Sequence, residues 1–442
     1  MRILAVVESL IEQIVADAEE RAFPGGTARE AELAWLPGKV DAVIGMRRSG
    51  KTWLLQQSLR ARIDAGMPRE SVLYVSLEDE RLAGLRADQL GLFVEVFYRR
   101  RPSLRERECI FVFDEIQVVE GWEPLVRRLL DTENVRICIS GSSSKLLSQE
   151  LATSMRGRSI STELFPFSFA EYLLHHGVDP PRQSRPGSKQ RSVIEHHLRS
   201  YLVLGGFPEV QGLEAHLHRR VLQEYLDVVL LRDVVERHAI GNVVALRRLM
   251  RQLLGAPAGL FSIHRLYNDL RSQGVSVGKD SLHAFLDHLH DAFLFFPLSI
   301  HTDSERVRQT NPRKIYPVDP GLVTAGAPQS GWGTGQLLET LCFLHLRRMH
   351  SDLAYYRHED GTEVDFVVKT PEGPEALALV QVSADVTSGD TRSRELRALD
   401  AAMSHFGARQ ATLVTLSAEE TVAVPSGEVR IVPFALWSLG AL

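Results

Sequence analysis

The stretch "GMRRSGKTWLLQQ", Gly45 to Gln57, follows directly on the apolar run Val40 to Ile44. Its two glycines let the backbone wrap closely enough for successive N–H groups to point inward, and a helix beginning behind them adds the partial positive charge of its N-terminus. The octet Gly45–Thr52 fits GxxxxGK[ST] and sits after a predicted buried strand and before a predicted helix, Trp53 to Ile63. That context makes a phosphate cradle of Gly45, Met46, Arg47, Arg48, Ser49, Gly50, Lys51, Thr52 and Trp53. Lys51 would reach the β and γ phosphates and Thr52 would bind magnesium, so ATP and Mg2+ are the implied ligands. The octet alone also fits a Gly-Ser turn followed by a surface Lys and Thr.

A second motif bears on that choice. "CIFVFDEIQ" ends an apolar strand in Asp114 and Glu115, placing two carboxylates at the C-terminal edge of the same sheet. Asp114 can hold magnesium and Glu115 can orient or deprotonate an attacking water. The next strand, "VRICISGSSSKLL", offers Ser142, Ser143 and Ser144, with Ser143 the candidate to face a γ phosphate. A serine-rich turn capping a helix from Lys145 fits equally well. "MRGRS" supplies Arg156 and Arg158. Either would stabilise transition-state charge in cis or across a subunit boundary, or else sit in a surface salt bridge.

Strand-like runs at 40–44, 71–77, 109–113, 135–140 and 159–165, with helical patterns between most of them, imply a parallel sheet covered by helices. A chain of 442 residues calls for two or three domains. We read a nucleotide-binding domain over 1–175, a linker over 176–191, a helical module over 192–330 and a third α/β unit over 331–442. In that last unit "LAYYRHEDGTEVDFVVKTPEGPEALALVQVS" alternates like antiparallel strands. The chain is 44% hydrophobic and 24% charged, which suits a folded globular protein. Its net charge of -5 argues against a general nucleic-acid coat and leaves room for one local basic surface. Three scattered cysteines without CxxC spacing point to a reducing cytoplasm. The acidic residues among the apolar positions of the first helix speak against a signal peptide, and no run is apolar enough for a membrane span.

The order of the phosphate loop, "SLEDERL", "FVFDEIQ", "ISGSSSKLL", "MRGR" and "LFPFSFAEYL" resembles the prokaryotic ATPases of the AAA+ superfamily that carry a C-terminal domain of unknown function. "YLVLGGFPEV", "YLDVVLLRDVVERHAIGNVVALRRLM", "LHAFLDHLHDAFLFFPL" and "KIYPVDPGL" continue the resemblance over nearly the whole chain. It implies an α/β fold: a P-loop sheet in the AAA+ strand arrangement, a helical winged-helix-like module, and a C-terminal domain of the restriction-endonuclease type. In such a domain a helix Glu, a strand Asp and an ExK on the next strand gather a divalent metal. Glu339 and Asp365 match the first two, whereas Gln381-Val382-Ser383 stands where ExK is expected. Losing an anion and its lysine, at about 3 kcal/mol each, makes the nuclease reading catalytically dead.

Between Arg247 and Leu289 the pattern is that of a helix-turn-helix, one helix opening at Ser262-Ile263 and a second at Gly278–Ser281. The second offers Lys279, Ser281, His283 and His288 but also Asp280, Asp287 and Asp291, so a packing lid competes with groove reading. The combined expectation is a magnesium-dependent ATPase whose nucleotide state moves C-terminal domains that act on DNA or a DNA-associated partner. The alternatives are a slow ATP-gated switch for a protein partner and a metal-dependent nuclease coupled to ATP. Oligomerisation would be required for any arginine acting in trans.

Overall fold

Every residue of β1 (Val40–Ile44) is buried, since the strand lies inside a sheet with a neighbour on each side. The computed structural model describes residues 2–142, 155–181, 185–328, 332–369 and 377–441. Beside β1 run β2 (Val72–Ser76), β3 (Cys109–Asp114), β4 (Val135–Gly141) and β5 (Ser159–Glu163). All five strands are parallel, in the order β2-β3-β4-β1-β5. Asp41 is the exception to the apolar run of β1. Its carboxylate accepts from the amides of Ala34 at 2.8 Å and Trp35 at 3.1 Å, which ties down the segment entering the strand. Leu54, Leu55 and Leu59 of helix Lys51–Asp64 pack with Val43, Val112 and Cys138, so the helix behind the phosphate loop is fixed by the sheet core.

The chain divides at Phe165/Pro166 into two compact units, the first being residues 1–165 with 291–293 and the second 166–290 with 294–442. Helix Phe169–His175 belongs with the second unit: the rings of Tyr172 and Tyr201 stand 5.0 Å apart, and the Tyr201 hydroxyl donates to the Phe167 carbonyl at 2.6 Å. The helical module and the terminal α/β unit both lie within the second compact unit.

That body begins with helices Ser188–Leu204, Ala215–Val228 and Val243–Gly255, the second running on into a π-helix, Val229–Glu236. A three-stranded antiparallel sheet, β6-β8-β7, then joins β6 (Leu260–Phe261), β7 (Phe295–Leu298) and β8 (Arg313–Pro317). Helices Ile263–Ser272 and Lys279–Asp291 open where the sequence placed them, the first capped by the Ser262 hydroxyl, which accepts from the Arg265 amide.

After helix Thr334–Met349 come β9 (Leu353–Arg357), β10 (Glu363–Lys369) and β11 (Leu377–Val382), then β12 (Gln410–Thr415), β13 (Glu420–Val424) and β14 (Gly427–Pro433). They form one sheet in the order β13-β14-β12-β11-β10-β9. The expected antiparallel pairing holds for β9, β10 and β11. Beyond them β11, β12 and β14 pair in parallel, because helix Gly389–Phe406 carries the chain back before β12 begins.

Two segments far apart in the chain meet in this body. The Asp319 carboxylate, 1% exposed, accepts from the amides of Gly206 at 2.6 Å and Gly321 at 2.8 Å. It thus joins "GGFPEV" to "VDPGL".

Candidate functional site

The phosphate loop leaves the C-terminal end of β1 by a turn that only glycine allows. Gly45 has φ 152°, and a Cβ there would lie 2.2 Å from the Leu164 carbonyl oxygen. Gly50, at φ 100°, precedes the first residue of helix Lys51–Asp64, whose opening amides have no carbonyl partner within the helix. Arg48 also takes positive φ, at 66°. Ser49 is fully buried, and among the described residues its hydroxyl has no hydrogen-bond partner. Such an orphaned hydroxyl, next to a helix N-terminus with unpaired amides, suits an anionic ligand.

Lys51 folds back over the loop. Its ammonium donates to the carbonyls of Gly45 at 3.1 Å and Met46 at 3.2 Å and lies 3.3 Å from a Glu115 carboxylate oxygen. Glu115 follows the end of β3 with φ 57° and is 8% exposed. Burial alone would raise its pKa, yet Lys51 and the Gln117 amide hold it below the usual carboxylate value. The base expected at Glu115 is therefore an anion beside a cation.

Thr52 and Asp114 also meet: the threonine hydroxyl donates to Asp114 Oδ2 at 2.8 Å. The Tyr74 hydroxyl donates to the same oxygen at 2.5 Å, and the Ser140 hydroxyl donates to Asp114 Oδ1. Ser140 in turn accepts from the Glu115 amide at 2.9 Å, so β2, β3 and β4 together fix both carboxylates. A hydroxyl and a carboxylate oxygen in contact form a hard-donor pair that fits magnesium. Among the described residues no set of three or more His, Cys, Asp or Glu side chains is arranged to hold a metal, so water and phosphate oxygens would complete the shell.

The other expected residues have separate places. Arg47 is paired with Glu78 at 2.6 Å, and Trp53 is 47% exposed at the start of the loop helix. Ser143 lies outside the described residues. Arg156 and Arg158 do not join the loop: the Arg158 carbonyl accepts from the Val40 amide at the N-terminal end of β1, and its guanidinium pairs with Asp131. The strand's five residues separate these arginines from the phosphate loop by ~17 Å. Sequence reading missed Arg29, whose guanidinium donates to the Ser49 carbonyl at 2.9 Å and the Phe165 carbonyl at 2.6 Å. It missed Tyr74 as well, although a tyrosine inside an apolar strand signals a hydroxyl in need of a buried partner.

A second polar cluster lies in the other unit. Glu339 and Asp365 come together as expected, but the expectation that no lysine accompanies them is corrected. Lys314 of β8 places its ammonium 2.9 Å from Glu339, 2.7 Å from Glu363 and 2.7 Å from Asp365. It was missed because it precedes the domain's own motifs in the chain. Gln381 bridges differently: its Oε1 accepts from the Asp365 amide at 3.0 Å and its Nε2 donates to Glu395 at 2.7 Å. Burial, reinforced by Asp365, pushes Glu339 up to about 7 against the pull of Lys314. A raised carboxyl binds its proton in the folded state where the unfolded chain has lost it, so its stability contribution is full at low pH and falls as pH rises toward 7. Denaturant unfolding should show the wild type losing stability relative to Glu339→Gln as pH rises from 4.5 to 7.

Family models match in three stretches: an AAA domain over residues 38–173, a domain of unknown function (DUF8612) over 195–331 and another (DUF4143) over 334–437. The chain is 30% identical over 452 residues to an uncharacterized protein of Methanocaldococcus jannaschii, MJ1544, covering 99% of this chain and 98% of that one. An uncharacterized protein of Haemophilus influenzae is 29% identical over 347 residues, covering 78% and 83%. Among solved structures, the Aeropyrum pernix ORC1 protein in complex with DNA aligns with 14% identity and a TM-score of 0.29, over 77% of this chain and 92% of that one. With its five-stranded parallel sheet, its phosphate loop and these matched stretches, the chain belongs to the family of the Methanocaldococcus protein, P-loop AAA+ ATPases with further C-terminal domains of unknown function.

Proposed function

We propose that the chain binds and hydrolyses ATP with magnesium at the loop Gly45–Thr52, and that nucleotide state moves the C-terminal unit against DNA or a DNA-associated partner. The observation that carries the reading is the meeting of the two motifs, Lys51 with Glu115 and Thr52 with Asp114. Lys51 exchanges its loop carbonyls for phosphate oxygens, and the amides opening helix Lys51–Asp64 take up anionic charge. Glu115 accepts a proton from water or orients it, while Ser140 holds its backbone amide and Gln117 its carboxylate. Thr52 and Asp114 would hold magnesium, which when bound would supply charge neutralisation at the phosphates.

The DNA part of the reading rests on the helix pair Ile263–Ser272 and Lys279–Asp291, whose second member exposes Lys279, Ser281 and His283. Exposed Asp280 and Asp287 on that helix favour a second reading, an ATP-gated switch that docks a protein. Steady-state ATP turnover at low salt, with and without duplex DNA, separates the two. Stimulation by DNA supports the first; turnover indifferent to DNA removes it in favour of the second.

A further inference from the structure

Three carboxylates from two elements converge on one buried point. Glu339 comes from helix Thr334–Met349, and Glu363 and Asp365 come from alternate positions of β10. Among carboxylates so gathered, mutual repulsion in a poorly solvated site demands a cation at the centre. A divalent metal would meet that demand by coordination. Here the centre is filled by the Lys314 ammonium, whose side chain is 4% exposed and whose three protons match three carboxylate acceptors at 2.7–2.9 Å.

The lysine belongs to neither acidic element. It stands on β8, which pairs with β6 and β7 in a different sheet from the carboxylates. Two residues on, and so on the same face of β8, the Tyr316 hydroxyl donates to Glu339 at 2.8 Å. Asp365 has a further tie, its Oδ2 taking the Val382 amide at 2.9 Å, and neutral Gln381 occupies the β11 position beside it. The cation and the three carboxylates that accept from it are all drawn from the chain.

We propose that Lys314 is a built-in cation, its ammonium standing where a divalent metal would otherwise sit among Glu339, Glu363 and Asp365, so that the centre fastens the β6-β8-β7 module to the C-terminal sheet and holds no metal. The two modules then behave as one body because this ion cluster, together with the packing of Tyr316 on Phe343 at 4.2 Å between ring centroids, joins them. The same ammonium blocks metal-dependent hydrolysis by the carboxylates.

The test titrates metal-free, nucleotide-free full-length protein with MnCl2 and counts bound Mn2+. Wild type and Glu339→Gln should take up equal amounts, since the acidic centre contributes nothing while Lys314 is in place. Lys314→Ala should bind one further Mn2+ per chain, a gain that Lys314→Ala/Glu339→Gln loses. Its thermal midpoint without metal should fall by on the order of 10 °C, the effect of leaving buried Asp365 and half-buried Glu339 and Glu363 uncompensated. Mn2+ uptake by wild type that Glu339→Gln or Asp365→Asn removes would overturn the proposal, and so would plasmid nicking lost in those variants. A Lys314→Ala protein with an unchanged midpoint and no new Mn2+ would also overturn it. The comparison of wild type with Glu339→Gln decides the metal question even when Lys314→Ala does not fold.

Discussion

Glu115→Gln should lower ATP turnover by about 10²–10⁴-fold while ATP remains bound, the loss expected when a positioned general base goes. Glutamine keeps the length and planarity of the side chain, and its oxygen can still accept from Lys51 or Gln117. What disappears is the negative charge, held below the ordinary carboxylate pKa by Lys51 and hence present throughout the neutral range. The backbone at this position is already committed to φ 57° by β3 and by the hydrogen bond from the Glu115 amide to Ser140, so the substitution leaves the local geometry in place. Single-turnover hydrolysis alongside equilibrium ATP binding checks the result. Equal loss of binding and turnover would mean that Glu115 holds the loop together and does not serve the chemistry.

Asp319→Ala should destabilise the C-terminal unit by about 2–6 kcal/mol, because two buried amides, Gly206 and Gly321, would each lose their acceptor at ~1–3 kcal/mol apiece. Gly205→Ala attacks the same contact from the other side. Gly205 has φ 74°, and a Cβ on it would fall 1.8 Å from Asp319 Oδ1, so the side chain and the backbone conformation are both excluded. Gly241→Ala is the contrast: nothing lies within 4 Å of its Cβ position, and a change within ~0.5 kcal/mol is expected. Denaturant unfolding of the three variants orders them. A Gly205→Ala protein as stable as Gly241→Ala would contradict the packing described for Asp319.

The nucleotide-binding sheet was legible because its signals are local. An unbroken apolar run marks β1 as a central strand, and the octet behind it needs glycine at two particular places, which the structure explains by Leu164 behind Gly45 and by the helix opening at Gly50. The helix-turn-helix pattern likewise placed two helix starts, at Ser262-Ile263 and at Gly278–Ser281, and Ser262 caps the first of them. What escaped the sequence depends on side chains brought together from afar. Arg29 reaches Ser49 and Phe165, Tyr74 reaches Asp114 from the neighbouring strand, and Lys314 reaches a carboxylate cluster assembled from residues 339–365. Spacing along the chain carries no trace of such partners. The Pro, Ser and Gly-rich stretch near 180 marks a loop by composition, while the Tyr172–Tyr201 contact, which links the helices on either side of it, depends on side chains that meet across that loop. Arg156 and Arg158 were plausible by type, and the parallel register with β1 puts them at the end of the sheet away from the loop.

Equilibrium ATP binding in magnesium, measured on the full chain and on Lys51→Met, tests the central claim most directly. The account predicts saturable binding of one ATP per chain, weakened at least about a hundredfold in Lys51→Met as a cation at the phosphates is lost. Absence of binding to the wild type, or equal binding to both proteins, would contradict it.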